Sequence, residues 1–153
     1  SASASASRPA SATASSTAAA DFRVLLSLCK PVLTRRSTRL LHEAMMLLGG
    51  NGIEEEFSPL PRLHRDAVIM ETWEGPHNVL YTQALRDLDR LDVDPDAFVD
   101  RHAASGTADA LAEELAGLLE RADDPEATVP FARWAGRMVR SFARRELEEV
   151  GAA

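Results

Sequence analysis

The sequence predicts an all-α fold, an antiparallel bundle of helices joined by short loops. Three observations carry this expectation. Apolar residues recur at three- and four-residue spacing, as in "DFRVLLSLCKPVLT", where Phe22, Leu25, Leu26, Cys29, Val32 and Leu33 repeat at helix spacing. Strand signals are almost missing, with "AVIMETW" the one short candidate. The periodic segments are punctuated by Ser, Thr, Pro and Gly where helices start and stop. At 153 residues the chain can bury one core, and short connections place successive helices antiparallel.

Taken in order, the first twenty residues, "SASASASRPASATASSTAAA", hold nothing large enough to join a core and read as a disordered tail. They also lack the apolar run of a secretory signal. The helix that follows should kink or end near Cys29, because Pro31 removes a donor and clashes with the preceding turn. A second helix is expected from Ser37 or Thr38 as N-cap, through "RLLHEAMMLL", stopped by Gly49 and Gly50, with Met45 and Met46 in the core. Pro59 and Pro61 open a third, "PLPRLHRDAVI". After "EGP" a fourth runs through "HNVLYTQALRDLDRL", with Val79, Leu80, Gln83, Ala84 and Leu88 on adjoining faces, until "DVDPD" breaks it. Three more segments follow near 95–104, 107–122 and 126–149. The bundle therefore occupies 21–150, with a core region 22–92 and a helical extension 95–150.

The net charge of −7 hides a partition. Five basic residues and no acid lie between Phe22 and His42, and five arginines and no acid between Phe131 and Arg145. Between Arg86 and Glu126 thirteen acids face four bases. Lysine is nearly absent. The overall balance argues against generic nucleic-acid binding, while the local balance leaves room for an anion-binding face. No window approaches the ~20 apolar residues of a membrane span. One cysteine, Cys29, excludes an internal disulfide and fits a reducing, cytoplasmic setting. His42, His64, His77 and His102 lack metal-ligand spacing, so no metal site is expected.

Two short stretches carry chemistry. "GGNG" (Gly49, Gly50, Asn51, Gly52) is either a helix stop with positive φ or a place where a backbone comes very close to something. It fits neither the dinucleotide fingerprint nor the phosphate-binding loop of nucleotide triphosphatases. In "TWEGPHN", Glu74 either complements the dipole of the helix that follows or acts as a general base, a carboxylate beside an aromatic on an abrupt turn. His77 is placed to tune it or to face solvent. In the last helix, at ~100° per residue, Arg133, Arg137, Arg140 and Arg144 form one stripe opposite Phe131, Trp134, Ala135, Met138 and Phe142. That stripe is either a solvated face paired with the acidic stretch or a track for nucleic-acid phosphates. Glu54, Glu55 and Glu56 read as a solvated loop.

Residues 43–88, from "EAMMLLGGNGIEEEF" through "SPLPRLHRDAVIMETWEGPHN" to "VLYTQALRDL", together resemble the C-terminal helical domain of the acyl-CoA dehydrogenase family. A helix ending in G-G-N-G, an acidic loop, a P-x-x-R-x-x-R-D helix and an aromatic-E-G turn occur in the family's order and spacing. The resemblance covers about residues 22–92 and extends more weakly to 150. Trp before the Glu resembles the alkylation-response (AidB-type) branch. Ile53, Pro76 and Asn78 depart from the usual pattern.

The resemblance implies that Glu74 removes the α-proton of an acyl-CoA thioester while a hydride passes to FAD, its backbone N–H polarising the thioester carbonyl. It implies that Gly49, Gly50, Asn51 and Gly52 approach FAD across a subunit interface of a homotetramer, with Gly75 and Asn78 also on the cofactor side. Arg65 and Asp66 would orient the turn that carries Glu74. The family also has an N-terminal helical domain and a central β-domain, so the resemblance implies a piece of a longer oxidoreductase, inactive alone. The rival expectation is a DNA- or partner-binding helical module using the stripe, with weak DNA binding.

Overall fold

The computed structural model describes residues 10–152, with side chains from residue 17. Every regular element among them is helical: α1 (Ala10–Leu47), a single turn α2 (Gly50–Ile53), α3 (Leu60–Thr72), α4 (His77–Arg90), α5 (Pro95–His102), α6 (Ala108–Leu119), a 3₁₀ turn Pro125–Ala127, and α7 (Thr128–Gly151). The strand candidate is the last two turns of α3 with its cap residue Trp73.

The first helix is longer than expected, and it does not end near Cys29. The Ser/Ala segment is helical from Ala10 onward, in keeping with alanine's helix propensity; residues 1–9 lie outside the described residues. Pro31 does not end the helix. It sits inside α1, almost fully buried. An interior proline costs about 3 kcal/mol. Burying Val24 and Leu28 on the same helix contributes about 1.5–3 kcal/mol each, so packing outweighs the lost backbone bond. Ser37 and Thr38 are consequently not caps. Their hydroxyls donate back to the carbonyls of Leu33 (3.0 Å) and Thr34 (3.3 Å) inside the continuous helix.

Other boundaries follow local chemistry. Asp94 caps α5, accepting from the N–H groups of Asp96 and Ala97 with Pro95 at the first position. Ser58, itself buried, accepts from the Leu60 N–H at the head of α3. Asp124 accepts from Glu126 N–H and starts the turn into α7.

One hydrophobic core unites the two regions distinguished in the sequence. Val24 and Leu28 of α1 meet Leu85 and Leu88 of α4, Phe98 of α5, Leu115 of α6, and Phe131, Trp134 and Met138 of α7. The indole of Trp134 donates to the Leu111 carbonyl at 2.9 Å, so its buried N–H is satisfied. One polar tie locks the extension onto the rest, and a second fastens the extension to itself. Asp21 of α1 accepts a bidentate pair from Arg101 of α5, at 2.8 and 3.1 Å, and a third contact from His102 at 2.9 Å. Ser141 of α7 accepts from the Ala104 N–H and shares a 2.7 Å bond with Thr107.

Outside that core, α3 buries only Pro61 and Ala67. Leu63, Val68, Ile69, Met70 and Trp73 stay exposed, as do Leu40, Met46, Leu47 and Leu48 at the end of α1. Met46 is thus a surface residue and Met45 only half-buried, against the expectation for both. Among the described residues no helix is long and apolar enough to cross a membrane.

Candidate functional site

The glycine loop is built by the way α1 stops. Leu48 and Gly49 donate to the carbonyls of Met45 and Met46, closing the last turn. Gly49 then turns the chain at φ +59°, ψ −139°, a conformation that a side chain opposes. One turn later Gly52 is buried against α1. A Cβ on it would lie 2.1 Å from the Met45 carbonyl oxygen. The close approach is therefore internal at Gly52, helix end against returning backbone. Gly49 and Gly50 differ: both are exposed, and a Cβ on either would meet nothing within 4 Å. Asn51 is exposed beside them. Of the four positions, three present backbone to the outside and one is taken up by packing.

Glu74 stands in the connection from α3 to α4. Trp73 closes α3 by donating its N–H to Ile69. Glu74 follows at φ +69° and Gly75 at φ +121°. Pro76 is then the N-cap of α4. A glutamate at positive φ is uncommon, because its Cβ crowds the following carbonyl. The Glu74 carboxylate is 64% exposed and meets the Lys30 ammonium of α1 at 2.7 Å. The same ammonium donates to the Trp73 carbonyl. Beside them is a depression of about 240 Å³ walled by Leu26, Ser27, Gln83 and Asp87.

Trp73 is itself 63% exposed, so it does not desolvate the carboxylate within this chain. His77 does not tune Glu74 either. Its Nδ1 lies 3.4 Å from Glu71 and its Nε2 3.3 Å from Thr34, between α3 and α1. Burial pushes its pKa down, Arg35 and Lys30 push the same way, and Glu71 opposes. Asn78 is exposed in the first turn of α4. Arg65 pairs with Glu55 at 2.5 Å, tying α3 to the loop before it rather than to the Glu74 turn, and Asp66 is exposed. Glu54, Glu55 and Glu56 are all exposed, as expected of a solvated loop, with Glu55 in a surface pair with Arg65.

The arginine stripe of α7 is divided by its ion pairs. Arg137 pairs with Glu114 of α6 and Arg144 with Glu148. Arg133 and Arg140 instead face α1, where Arg35, Arg36 and Arg39 join them around a groove of about 680 Å³. The one acid in its lining is Glu43, which pairs with Arg39 at 2.9 Å. The half of this groove on α1 escaped the stripe argument. Its signal was the acid-free run between Phe22 and His42. Among the described residues no cluster of His, Cys, Asp and Glu could hold a metal ion.

Comparison with known proteins bears on what this arrangement is. Residues 2–88 match the family described as acyl-CoA dehydrogenase, C-terminal domain. The chain is 37% identical over 82 residues to the putative acyl-CoA dehydrogenase AidB of Escherichia coli (strain K12). That alignment covers 51% of this chain and 15% of the relative. The chain thus spans a small part of the length of the curated protein it matches. No solved structure matches it. With the family match extending over more than half of its residues, including the glycine loop, the α3–α4 turn and most of α4, the chain belongs to the acyl-CoA dehydrogenase family.

Proposed function

We propose that the chain is the C-terminal part of a flavin-dependent oxidoreductase that dehydrogenates acyl-CoA thioesters across Cα–Cβ, with Glu74 as the base. The observation that carries this is the conformation of Glu74, held at φ +69° at the head of α4 with its carboxylate exposed. Strained backbone conformations cluster at active sites and ligand clamps. The glycine loop fits a flavin nucleotide as far as its exposed part goes. Gly49, Gly50 and Asn51 offer open backbone that an anionic group can approach, and Gly75 and Asn78 lie at the head of α4. Gly52 serves the chain's own packing instead. When bound, FAD supplies the hydride acceptor. The chain's own contributions are to place the Glu74 carboxylate for the α-proton and to offer the Glu74 backbone N–H to the thioester carbonyl, the Gly75 N–H being taken by the Thr72 carbonyl at 3.1 Å.

The exposed apolar residues of α3 and the end of α1 form a patch of the kind that marks an interface. They support assembly with further protein in the flavoenzyme, a homotetramer by analogy with the family. The depression at Glu74, at about 240 Å³, is below the ~300–1,000 Å³ of sites that enclose a ligand, in keeping with a chain inactive alone. The test uses the flavoenzyme that contains this segment. Glu74→Gln should abolish α-proton exchange with solvent deuterium and acyl-CoA oxidation while FAD stays bound. Turnover within twofold of wild type would remove Glu74 from the role.

A second reading rests on the groove between α1 and α7. Arg35, Arg36, Arg133 and Arg140 line one opening together, and such a row can neutralise successive phosphates. On this reading the chain is a polyanion-binding module whose ligand is duplex DNA. Affinity should fall steeply with salt, and replacing these four arginines by Gln should flatten that slope by up to about four contacts. Unchanged retardation of duplex DNA by the quadruple variant would exclude the groove.

A further inference from the structure

Lys30 is the only lysine among 153 residues that include sixteen arginines. It is spent on the Glu74 turn. Its side chain is 23% exposed, and its ammonium bridges two acceptors of consecutive residues, the Trp73 carbonyl and the Glu74 carboxylate. The two differ in kind. The carbonyl bond fixes the peptide entering Glu74, and the carboxylate contact fixes the side chain leaving it. Together they constrain both ends of a residue whose backbone would relax from φ +69° if released. A compact ammonium with three donors reaches two acceptors that crowd one point, whereas a planar guanidinium presents its donors as a wider fork. The geometry therefore accounts for the residue type: arginine supplies positive charge elsewhere in the chain, and lysine stands where a point donor is needed.

We propose that Lys30 is a positioning residue for Glu74. It clamps the α3–α4 turn onto α1, holding the carboxylate on one bearing toward the substrate. The anchor is rigid because Lys30 lies within the long continuous α1, one residue before the buried Pro31 and two after the fully buried Leu28. The functional meaning of the clamp rests on the reading of Glu74 as the base; the clamp itself does not.

The absence of other lysines makes the test clean, since an amine-directed acylating reagent can modify only Lys30 and the chain's N-terminus. In this chain, Glu74→Gln should raise the acylation rate of Lys30 at least threefold with far-UV circular dichroism unchanged. Lys30→Met should raise cleavage at the Glu74–Gly75 bond by a glutamate-specific protease at least fivefold, relative to cleavage after Glu149 at the exposed end of α7. Lys30→Arg should fall between. Unchanged rates in both assays overturn the clamp.

In the flavoenzyme that contains this segment, Lys30→Met should lower kcat for α-proton exchange at least tenfold with KM within twofold. Lys30→Arg should restore part of that loss. A raised KM with unchanged kcat overturns the positioning role. If Glu74→Gln retains exchange while both assays on the chain succeed, the base reading fails and the clamp stands.

Discussion

Gly52→Ala separates packing from ligand binding as the reason for a glycine in this loop. Gly52 lies in a one-turn helix, where alanine would ordinarily stabilise by about 0.4–1 kcal/mol. Sterics oppose this. The added Cβ would sit 2.1 Å from the Met45 oxygen, 2.8 Å from its carbonyl carbon and 3.0 Å from its Cα. All three are backbone atoms, so no side-chain rotation relieves the contact. Reaching ordinary separation requires roughly an ångström of movement between α2 and the end of α1, an overpacking cost of about 1–3 kcal/mol. The same oxygen accepts the Leu48 N–H at 3.2 Å, so its displacement forfeits about 1 kcal/mol more. The net expectation is a loss of about 2–3 kcal/mol, or roughly 4–12 °C in Tm for a chain of this size. Gly117→Ala is the matched control, an exposed position in α6 with nothing within 4 Å. It should gain about 0.5–1 kcal/mol. Urea melts followed by far-UV circular dichroism on the two variants decide the matter. If Gly52→Ala is as stable as Gly117→Ala, the loop does not press on α1 and the internal explanation fails.

Two further expectations concern pH. Burial works to raise the Asp21 pKa, but the hydrogen bonds and charges of Arg101 and His102 outweigh it and hold the carboxyl below its usual 3.8. Its stabilisation is therefore full above that value and is lost as pH falls through the depressed folded pKa. Asp21→Asn should cost about 2 kcal/mol at neutral pH, the buried-pair range discounted because Arg101 is 41% exposed; the gap to wild type should close below pH 3.8, and a constant gap would refute the assignment. His77 runs on a different group but with the same slope. Burial depresses its pKa below 6.5, so the unfolded chain binds the proton first and stability falls as pH drops beneath that value. His77→Gln should flatten this part of the stability profile, and an unchanged slope would place the titrating group elsewhere.

The helices were legible because their punctuation is local. Asp94-Pro95 and Gly49 act within one turn of themselves, so their roles follow from residue chemistry alone. The continuity of α1 past Pro31 is not legible locally, for the opposite reason. The proline's local cost is real, but it is set against burial of α1 on α4 and α7, which no local window contains. The Glu74 turn was identifiable from a motif, while its backbone angle and its partner were not. Lys30 lies 44 positions away, and nothing in its own surroundings in the sequence points to residue 74. The Asp21–Arg101–His102 tie spans eighty residues and was invisible for the same reason. Side-chain periodicity groups Arg133, Arg137, Arg140 and Arg144 along α7, but which of them is paired depends on a neighbouring helix for Arg137, through Glu114, and on α7 itself for Arg144, through Glu148.

The charge partition then takes on a spatial sense. The acid-free run on α1 contains both Lys30 and the groove arginines, so a single helix supplies the clamp on Glu74 and half of the arginine groove. His77 sits between them, 3.3 Å from Thr34 of α1, with the charges of both Arg35 and Lys30 acting on it. Tyr81, one turn further along α4, lines the groove floor, its pKa raised by burial against the opposing charge of Arg35. Anything anionic that settles among Arg35, Arg36, Arg133 and Arg140 would offset the charge that Arg35 exerts on His77. The acidic run between Arg86 and Glu126 answers this locally at Arg137 through Glu114, and at Arg23 through Asp87 at 3.5 Å. It supplies no residue to the lining of the groove, and the excess positive charge stays concentrated there.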